Sequence, residues 1–488
     1  MAVSIERKAI SALKWAAAAK VGAQLMSWAG TLVVIRLLTP EDYGLMAKVA
    51  VVCAIAGAIG EFGLGTAVVR SAEISADELR KIYGVGLLVG IGITAALIAS
   101  SPLVAKLFRE PRLTWPVAAA SLQVAIASVA MIPNTLAVRE LAFKSLAKVE
   151  MSAGAAGIGV TLLLALLGSG VWALVFGALA SASVRTLMLL TFGHRLRPSF
   201  SMRGIEEHLK FGLTVVGNRV SYFVIVQSDV LIGSAFLSTT EIGRYSVALQ
   251  LATLPMSKVM GTINQVALPA VSRQQSDPEA VRRAVIKAVG VISLAAFPIL
   301  WGISALAREL VLVLFGDKWL EAVPALEILP IIVPMRMVFS VLFTTSLALG
   351  NRQLDLRNSV ANFVLLPSGF FVGAHWGLIG LCSAWLVAVP LAYAVSVPRV
   401  LQFMGIRATD LLRECGVPAA VAAVMVATMT GLRPLLSPWP ALAVLVALAL
   451  AGSSVYLSIL ALVSRRHLAS AWVFARSLVQ RDRGDVVV

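Results

Sequence analysis

Long apolar runs recur along the whole chain, separated by short charged segments. Each is roughly 18–28 residues long, which is enough to cross the hydrocarbon core of a bilayer, about 30 Å thick. Of the 488 residues, 59% are hydrophobic and 14% are charged, whereas a soluble domain carries about 25% charged residues. The sequence therefore predicts an all-α integral membrane protein. Its net charge of +16 does not indicate nucleic-acid binding, because the basic residues lie at the ends of the apolar runs.

The apolar runs predict about fourteen transmembrane helices with no soluble domain between them. The first run continues past the length of a signal sequence and has no small-residue cleavage site, so we expect it to be retained as a helix. The predicted helices cover residues 15–38, 43–69, 82–107, 114–137, 146–167, 170–192, 211–236, 242–270, 284–315, 324–349, 357–374, 377–398, 414–431 and 440–463.

The distribution of Lys and Arg predicts the orientation of these helices. If the N-terminus is cytoplasmic, the inner segments carry 27 of the 41 Lys and Arg residues and the outer segments carry 8, with 6 inside spans. Cytoplasmic loops are enriched in Lys and Arg. We therefore expect both termini on the cytoplasmic side, with an even number of spans.

A short motif that follows the first predicted helix recurs after the seventh. Leu38–Gly44 and Leu237–Gly243 share the pattern L-[ST]-x-x-[DE]-apolar-G at an offset of 199 residues. Each copy predicts a capping box, in which a Ser or Thr and an acidic residue three positions later cap the next helix. A weaker echo relates Leu107–Leu113 to Leu314–Leu320, at an offset of 207 residues. Any outer hairpin needs a cap, but two echoes at similar offsets favour a true internal repeat.

The repeat predicts how the chain is divided. Six helices separate the two copies, so the repeats are parallel and related by an axis along the membrane normal. We expect two six-helix lobes around a central cavity, followed by two extra helices and a basic cytoplasmic tail. The predicted regions are the N-terminal lobe 1–200, the C-terminal lobe 201–400, helices thirteen and fourteen at 401–464, and the tail 465–488.

Several motifs resemble those of one family when they are taken in order. The chain is similar to the polysaccharide-transport (Wzx-type) flippases of the multidrug/oligosaccharidyl-lipid/polysaccharide exporter superfamily, over about residues 14–399. The motifs are Arg36–Gly44, Glu61–Arg70, Arg139–Phe143, Asp229–Gly233, Gly243–Ala248 and Phe315–Leu320.

This resemblance implies a function and a substrate. It implies that the protein moves an undecaprenyl-pyrophosphate-linked oligosaccharide from the inner to the outer leaflet of a bacterial cytoplasmic membrane. The oligosaccharide would serve exopolysaccharide, capsule or O-antigen (lipopolysaccharide) assembly, and the two lobes would work by alternating access. Membrane lipids and other polysaccharide assembly proteins are the implied partners.

Two cations inside the membrane are candidates for binding the pyrophosphate. Lys20 and Arg219 differ by 199 residues, the repeat offset, so we expect them at matched depth, about 10–12 Å from the cytoplasmic ends of their helices. Arg grips phosphate oxygens with two donors, and Lys acts as a point charge. The alternative is that both side chains extend to the cytoplasmic headgroups.

Other charges in the predicted spans are further candidates. Lys48, Lys258 and Arg336 are candidate cavity cations, because a charge at mid-bilayer costs about 2.5–3.5 kcal/mol unless it faces water or a partner. Arg185, near the middle of the sixth predicted helix, has no role that the sequence assigns.

Two acidic residues complete the candidate site. Asp229 is either a coupling site for protons or sodium or one half of a structural ion pair, with Lys258 as the nearest plausible partner. Glu61 is a second candidate for ion coupling, although a structural role fits it better. No other cofactor and no metal is expected, because the sequence has no Walker motif, its four His are scattered, and its three Cys have no ligand spacing.

Three alternative functions make different demands on the sequence. A multidrug exporter of the same superfamily would need an acidic, aromatic cavity, whereas the candidate residues here are mostly cationic. A peptidoglycan-precursor flippase would have a similar cationic cavity. A membrane polysaccharide polymerase or ligase needs a sizeable outer loop, and the predicted outer loops reach only around ten residues. We therefore expect a transporter and not an enzyme.

Overall fold

The computed structural model is helical in almost all of the residues it describes. These are residues 28–60, 74–140, 142–192, 196–201, 204–254 and 277–463, with isolated positions 63, 65, 68 and 256. The helices, in chain order, are α1 (Trp28–Leu37), α2 (Pro40–Gly60), α3 (Ala76–Leu107), α4 (Thr114–Arg139), α5 (Phe143–Leu166), α6 (Val171–Phe192), α7 (Glu206–Val226 and Ser228–Phe236), α8 (239–254), α9 (Pro278–Ala305), α10 (Val323–Ala348), α11 (Arg352–Ala374), α12 (Gly377–Met404), α13 (Ala408–Leu432) and α14 (Ala441–Val463).

This order confirms an all-α membrane protein. Each of the fourteen predicted helices overlaps one of α1–α14. Among the described residues, ten helices are long and apolar enough to cross a membrane, or eleven if the two halves of α7, bent by 51°, count as one span. Large apolar side chains such as Leu163, Leu450 and Leu462 stay exposed along these helices, as expected for surfaces that face lipid. The count of fourteen spans stays a prediction.

Two predicted hairpins are as short as the sequence suggests. Gly168 and Gly170 have φ of 75° and 56° in the turn between α5 and α6. Gly377, with φ of 68°, begins α12 directly after the turn that follows α11. Glycine has no Cβ and adopts these left-handed conformations at little cost, so single turns can reverse the chain here.

Several helix starts differ from the prediction because charged first turns were assigned to loops. α3 begins at Ala76 instead of residue 82, and Ser75 and Glu78 form a complete capping box at its start. α9 begins at Pro278 instead of residue 284, with Asp277 capping the amide of Ala280. These are standard helix starts, in which an acidic residue in the first turn complements the helix dipole.

The described residues divide into two compact units. The first lies within Ala17–Gly243 and the second within Arg244–Val488. The seventh helix therefore groups with the six before it, and the predicted lobes 1–200 and 201–400 stay a prediction.

Each unit has its own core. In the first, Leu45 and Val49 of α2 pack with Phe108, Val117 and Val175. In the second, Leu294 of α9, Met425 of α13 and Leu448 of α14 share one buried cluster. Tyr456 of α14 donates a hydrogen bond to the carbonyl of Leu294 at 3.0 Å, which fixes α14 against α9.

Candidate substrate-binding cavity

The first unit contains a cavity of about 900 Å³ between α2, α4, α5, α6 and α7. The polar residues of its wall can bind two kinds of chemical group. Amide and hydroxyl side chains donate and accept hydrogen bonds as sugars do, and guanidinium groups pair with phosphate oxygens. The polar lining residues are Gln123, Asn134, Thr135, Glu150, Ser181, Arg185, Thr186 and Arg219.

Small residues create the space. Ala50, Ala54 and Gly57 line the cavity from α2, and their spacing of three and four residues places them on one helix face. Ala178 and Ala182 line it from α6 at the same spacing. Because these side chains end at Cβ or earlier, they leave the space between the helices unfilled.

Arg219 lies in the wall of this cavity. The sequence predicted it as a phosphate ligand about 10–12 Å inside a helix beginning at residue 211. The helix begins at Glu206, so Arg219 is 13 residues from its start (219 − 206), about 20 Å along the axis. Its side chain is half-buried.

Arg185 and Glu150 form an ion pair in the same wall, a feature that the sequence analysis missed. Arg185 Nη2 lies 2.9 Å from Glu150 Oε1, with the two side chains 45% and 57% exposed. The α5–α6 hairpin by itself indicates that the two residues lie at similar depth. Glu150 is 16 residues before Leu166 (166 − 150) and Arg185 is 14 residues after Val171 (185 − 171), so they lie at matched heights in antiparallel neighbours.

Arg336, a predicted cavity cation, lies in the second unit against an aromatic ring. Its guanidinium carbon is 4.3 Å from the centre of the Trp385 ring, within the range of a cation–π interaction. The charge therefore has an aromatic partner, and its predicted role in binding substrate stays a prediction.

Asp229, a candidate for ion coupling, is 1% exposed in the first turn after the break in α7. Its Oδ1 accepts a hydrogen bond from the amide of Val230 at 2.8 Å, as expected for a carboxylate at the start of a helix. Three other candidates, Lys20, Glu61 and Lys258, lie outside the described residues.

A partly buried polar network lies at the end of the first unit that the sequence predicts to be outer. The amino group of Lys48 donates to Thr239 Oγ1 at 3.0 Å, and that hydroxyl donates to Glu110 Oε2 at 2.7 Å. Arg112 donates to both oxygens of Glu110 and, at 2.7 Å, to Glu41. Lys48 is 2% exposed; its predicted role as a cavity cation stays a prediction.

Glu110 is held ionised in this network. The hydrogen bond from Arg112 is the main cause, and together with the one from Thr239 it lowers the pKa of Glu110 from 4.5 to about 2. A carboxylate that accepts several hydrogen bonds is stabilised in its charged form.

The two repeated motifs contact each other beside the network. Both form the predicted capping boxes, Thr39 with Asp42 and Ser238 with Glu241. A Cβ added at Gly44 would collide with the carbonyl of Thr239, and one added at Gly243 would collide with that of Pro40. Gly44 and Gly243 are 199 residues apart, as are Pro40 and Thr239, so the contact is reciprocal, as expected for two copies of one repeat around a local axis.

Comparisons with known proteins agree with this structure. The family model described as "Polysaccharide biosynthesis protein" matches residues 33–324. The chain is 26% identical to the "Lipopolysaccharide biosynthesis protein WzxC" of Escherichia coli strain K12 over 82% of this chain and 83% of that protein. It is 26% identical to the "Succinoglycan biosynthesis transport protein ExoT" of Rhizobium meliloti over 64% of each.

A solved structure gives the same fold. The chain is similar to the "Lipid II flippase MurJ, inward closed conformation", with a TM-score of 0.72 and 14% identity, over 94% of this chain and 99% of that one. At this identity the likeness concerns the fold alone.

Proposed function

The chain belongs to the family of polysaccharide biosynthesis proteins, and we propose that it is a lipid-linked oligosaccharide flippase of the multidrug/oligosaccharidyl-lipid/polysaccharide exporter superfamily. Its substrate is an undecaprenyl-pyrophosphate-linked oligosaccharide, which it carries from the inner to the outer leaflet of the bacterial cytoplasmic membrane by alternating access. The product serves exopolysaccharide, capsule or lipopolysaccharide synthesis. The protein is a transporter and not an enzyme, and both termini are cytoplasmic.

The observation that carries this proposal is the polar cavity inside an apolar helical unit. A membrane protein tolerates charge within its spans where the charge faces a cavity, water or a partner. Here Arg219, Arg185 and Glu150 share the wall with amide and hydroxyl groups. An oligosaccharide on a pyrophosphate presents many hydroxyls and a compact anion, which is the chemistry this wall complements.

Arg219 is the proposed contact to the pyrophosphate. Arg185 is a second proposed contact. It pairs with Glu150 in the absence of substrate and can bind the anion when substrate enters. Lys20, Lys48, Lys258 and Arg336 are proposed as further cations along the route. Asp229 and Glu61 are proposed for coupling to protons or sodium, with Asp229 supported by its burial at the break in α7.

The rival substrate is an amphiphilic cation, as in a multidrug exporter of the same superfamily. Among the described residues, the charged side chains in the cavity wall are two arginines and one glutamate, which disfavours a cation. A peptidoglycan precursor carries the same pyrophosphate, so the charge of the cavity does not distinguish it from a lipid-linked oligosaccharide. Experiment distinguishes the two substrates.

The test in cells is the location of the lipid-linked oligosaccharide. Without the protein, completed intermediates should accumulate on the cytoplasmic face and surface polysaccharide should be lost, with growth continuing because peptidoglycan is unaffected. Arg219→Ala should reduce export roughly ten- to hundredfold, since a hydrogen bond to a charged group contributes about 1.5–3 kcal/mol. Arg357→Ala, which removes an exposed arginine outside the cavity, is the control and should export normally.

Two results would refute the assignment. If the intermediate reaches the outer face without the protein and drug susceptibility changes, the protein exports cations. If lipid II accumulates and cells lyse, it flips the peptidoglycan precursor.

A further inference from the structure

A second cavity, of about 510 Å³, lies in the second unit between α9 and α13, near the N-terminal ends of both helices. We call it the α9–α13 pocket. None of the functions above uses it. It is lined by Glu279, Arg282, Arg283, Ile286, Lys287, Gly290, Val291, Leu294, Asp410, Arg413 and Glu414.

The charged residues of the pocket include two cations that acidic partners hold in place. Arg282 Nη2 lies 2.8 Å from Asp410 Oδ2, which joins the two helices. Arg283 Nη1 lies 3.3 Å from Glu279 Oε2, one turn earlier on α9. Each pair engages one guanidinium group and leaves some of its N–H donors available, because a guanidinium has five.

Two more cations bring the positive charge of the pocket above its negative charge. Lys287 and Arg413 are exposed, and within the described residues neither has an ion-pair partner. With Glu414 included, the described residues of the pocket comprise four cations and three carboxylates. The excess positive charge therefore comes from side chains that are available to bind a ligand.

The N-terminus of α13 adds to this positive field. Asp277 caps the first turn of α9, whereas Arg407, the N-cap residue of α13, makes no side-chain cap hydrogen bond. Uncapped N–H groups at a helix N-terminus favour an anion.

The pocket also has an apolar side. Beyond Gly290 its wall continues into Val291 and Leu294 of α9, within a helix apolar enough to span the membrane. A phospholipid is arranged in the same order, with a charged phosphate followed by apolar chains. The Lys and Arg pattern predicts this end to be cytoplasmic, where the membrane surface is negative.

We propose that the α9–α13 pocket binds the phosphate group of a membrane lipid in the inner leaflet. Arg282 and Arg283, held by their carboxylates, and the free Lys287 and Arg413 surround the phosphate. Two sources share this chemistry, namely an anionic phospholipid of the bulk membrane and the phosphate of a polyprenyl carrier. The site is separate from the cavity in the first unit, and its failure leaves the proposed flippase function standing.

The test is lipid binding to the purified full-length protein in detergent, measured by native mass spectrometry. Phosphatidylglycerol is the anionic probe and phosphatidylcholine the zwitterionic one. The double variant Lys287→Gln with Arg413→Gln should lose roughly thirtyfold in apparent affinity for phosphatidylglycerol, because each cation near anionic lipid contributes about 1 kcal/mol. Arg357→Gln, an exposed arginine near the start of α11, is the matched control and should bind as the wild type does.

Further variants keep the test decisive if the double variant does not fold. Each single change should weaken binding roughly fivefold, and Lys287→Arg with Arg413→Lys should restore it. Unchanged phosphatidylglycerol binding in the folded variants, or equal binding of phosphatidylcholine, would overturn the proposal.

Undecaprenyl phosphate then identifies the source. If it displaces phosphatidylglycerol at lower concentration, the pocket holds the carrier. If phosphatidylglycerol resists displacement, the occupant is bulk lipid. Both results support the phosphate site.

Discussion

Arg219 and Arg185 bring two guanidinium groups to one cavity, and Glu150 brings one carboxylate. The sequence predicted Arg219 because it lies in an apolar run and differs from Lys20 by 199 residues, the repeat offset. It assigned no role to Arg185, because its partner lies 35 residues away (185 − 150) and becomes a neighbour only through the α5–α6 hairpin. Pairing that depends on tertiary contact has no local signature.

Glu150→Gln should tighten the binding of an anion in the cavity. Without the carboxylate, Arg185 loses its resting partner, so we expect undecaprenyl phosphate to bind a few-fold more tightly, in line with the 0.2–1 kcal/mol of an exposed ion pair. Arg185→Gln should weaken binding. Titration of the purified variants by intrinsic fluorescence measures both, and weaker binding by Glu150→Gln would contradict the role of Glu150 as the resting partner of Arg185.

The contribution of the network around Glu110 to the stability of the protein should depend on pH. The pKa of Glu110 is lowered to about 2 in the folded protein from 4.5, so its stabilisation is fully present above pH 4.5 and is lost as the pH falls towards 2. Thermal unfolding in detergent between pH 3 and 7 should show wild type losing stability below pH 4.5. Glu110→Gln, which cannot ionise, should be less stable at pH 7 and less sensitive to acid. Identical pH profiles would contradict this role.

The helices show which signals can be read from sequence alone. Fourteen apolar runs predicted fourteen helical segments, because burial in lipid demands long runs that few other structures need. Helix starts were less accurate, since Asp77 and Glu78 of α3 looked like a loop although they form its first turn. The break at Gln227 in α7 involves neither Pro nor Gly, so the local sequence gave no indication of it.

Alanine at Gly44 or at Gly243 should destabilise the contact between the capping motifs. An added Cβ meets backbone carbonyls, which cannot rotate away, and overpacking of this kind costs about 1–3 kcal/mol. The melting temperature in detergent should fall for each variant. Gly92→Ala is the control, because nothing lies within 4 Å of its added Cβ and alanine favours a helix interior; a comparable drop there would show a general intolerance.

At the scale of the whole molecule, orientation decides which leaflet each candidate residue faces. The positive-inside pattern predicts Ser201 inside and Ser437 outside, and both side chains are exposed. In a variant with Cys53, Cys382 and Cys415 replaced by alanine, a membrane-impermeant thiol reagent should label Ser437→Cys in intact cells. Ser201→Cys should react only after lysis, and the opposite pattern would invert the predicted topology.

The fold supports transport without naming the cargo, because relatives of one architecture carry different substrates. The sequence predicted the membrane class, the helices and the capping repeat from local patterns. Most of the residues that line the cavity in the first unit could not be predicted in the same way, since they come from five helices.

Reconstitution tests the central claim most directly. Purified protein in liposomes would be given a fluorescent undecaprenyl-pyrophosphate-linked oligosaccharide, and the fraction reachable by a membrane-impermeant quencher would be followed over time. We predict that wild type exchanges the lipid between leaflets and that Arg219→Ala does so roughly ten- to hundredfold more slowly, with Arg357→Ala matching wild type. Exchange no faster than in protein-free liposomes, for folded protein and with ion gradients imposed, would contradict the flippase assignment.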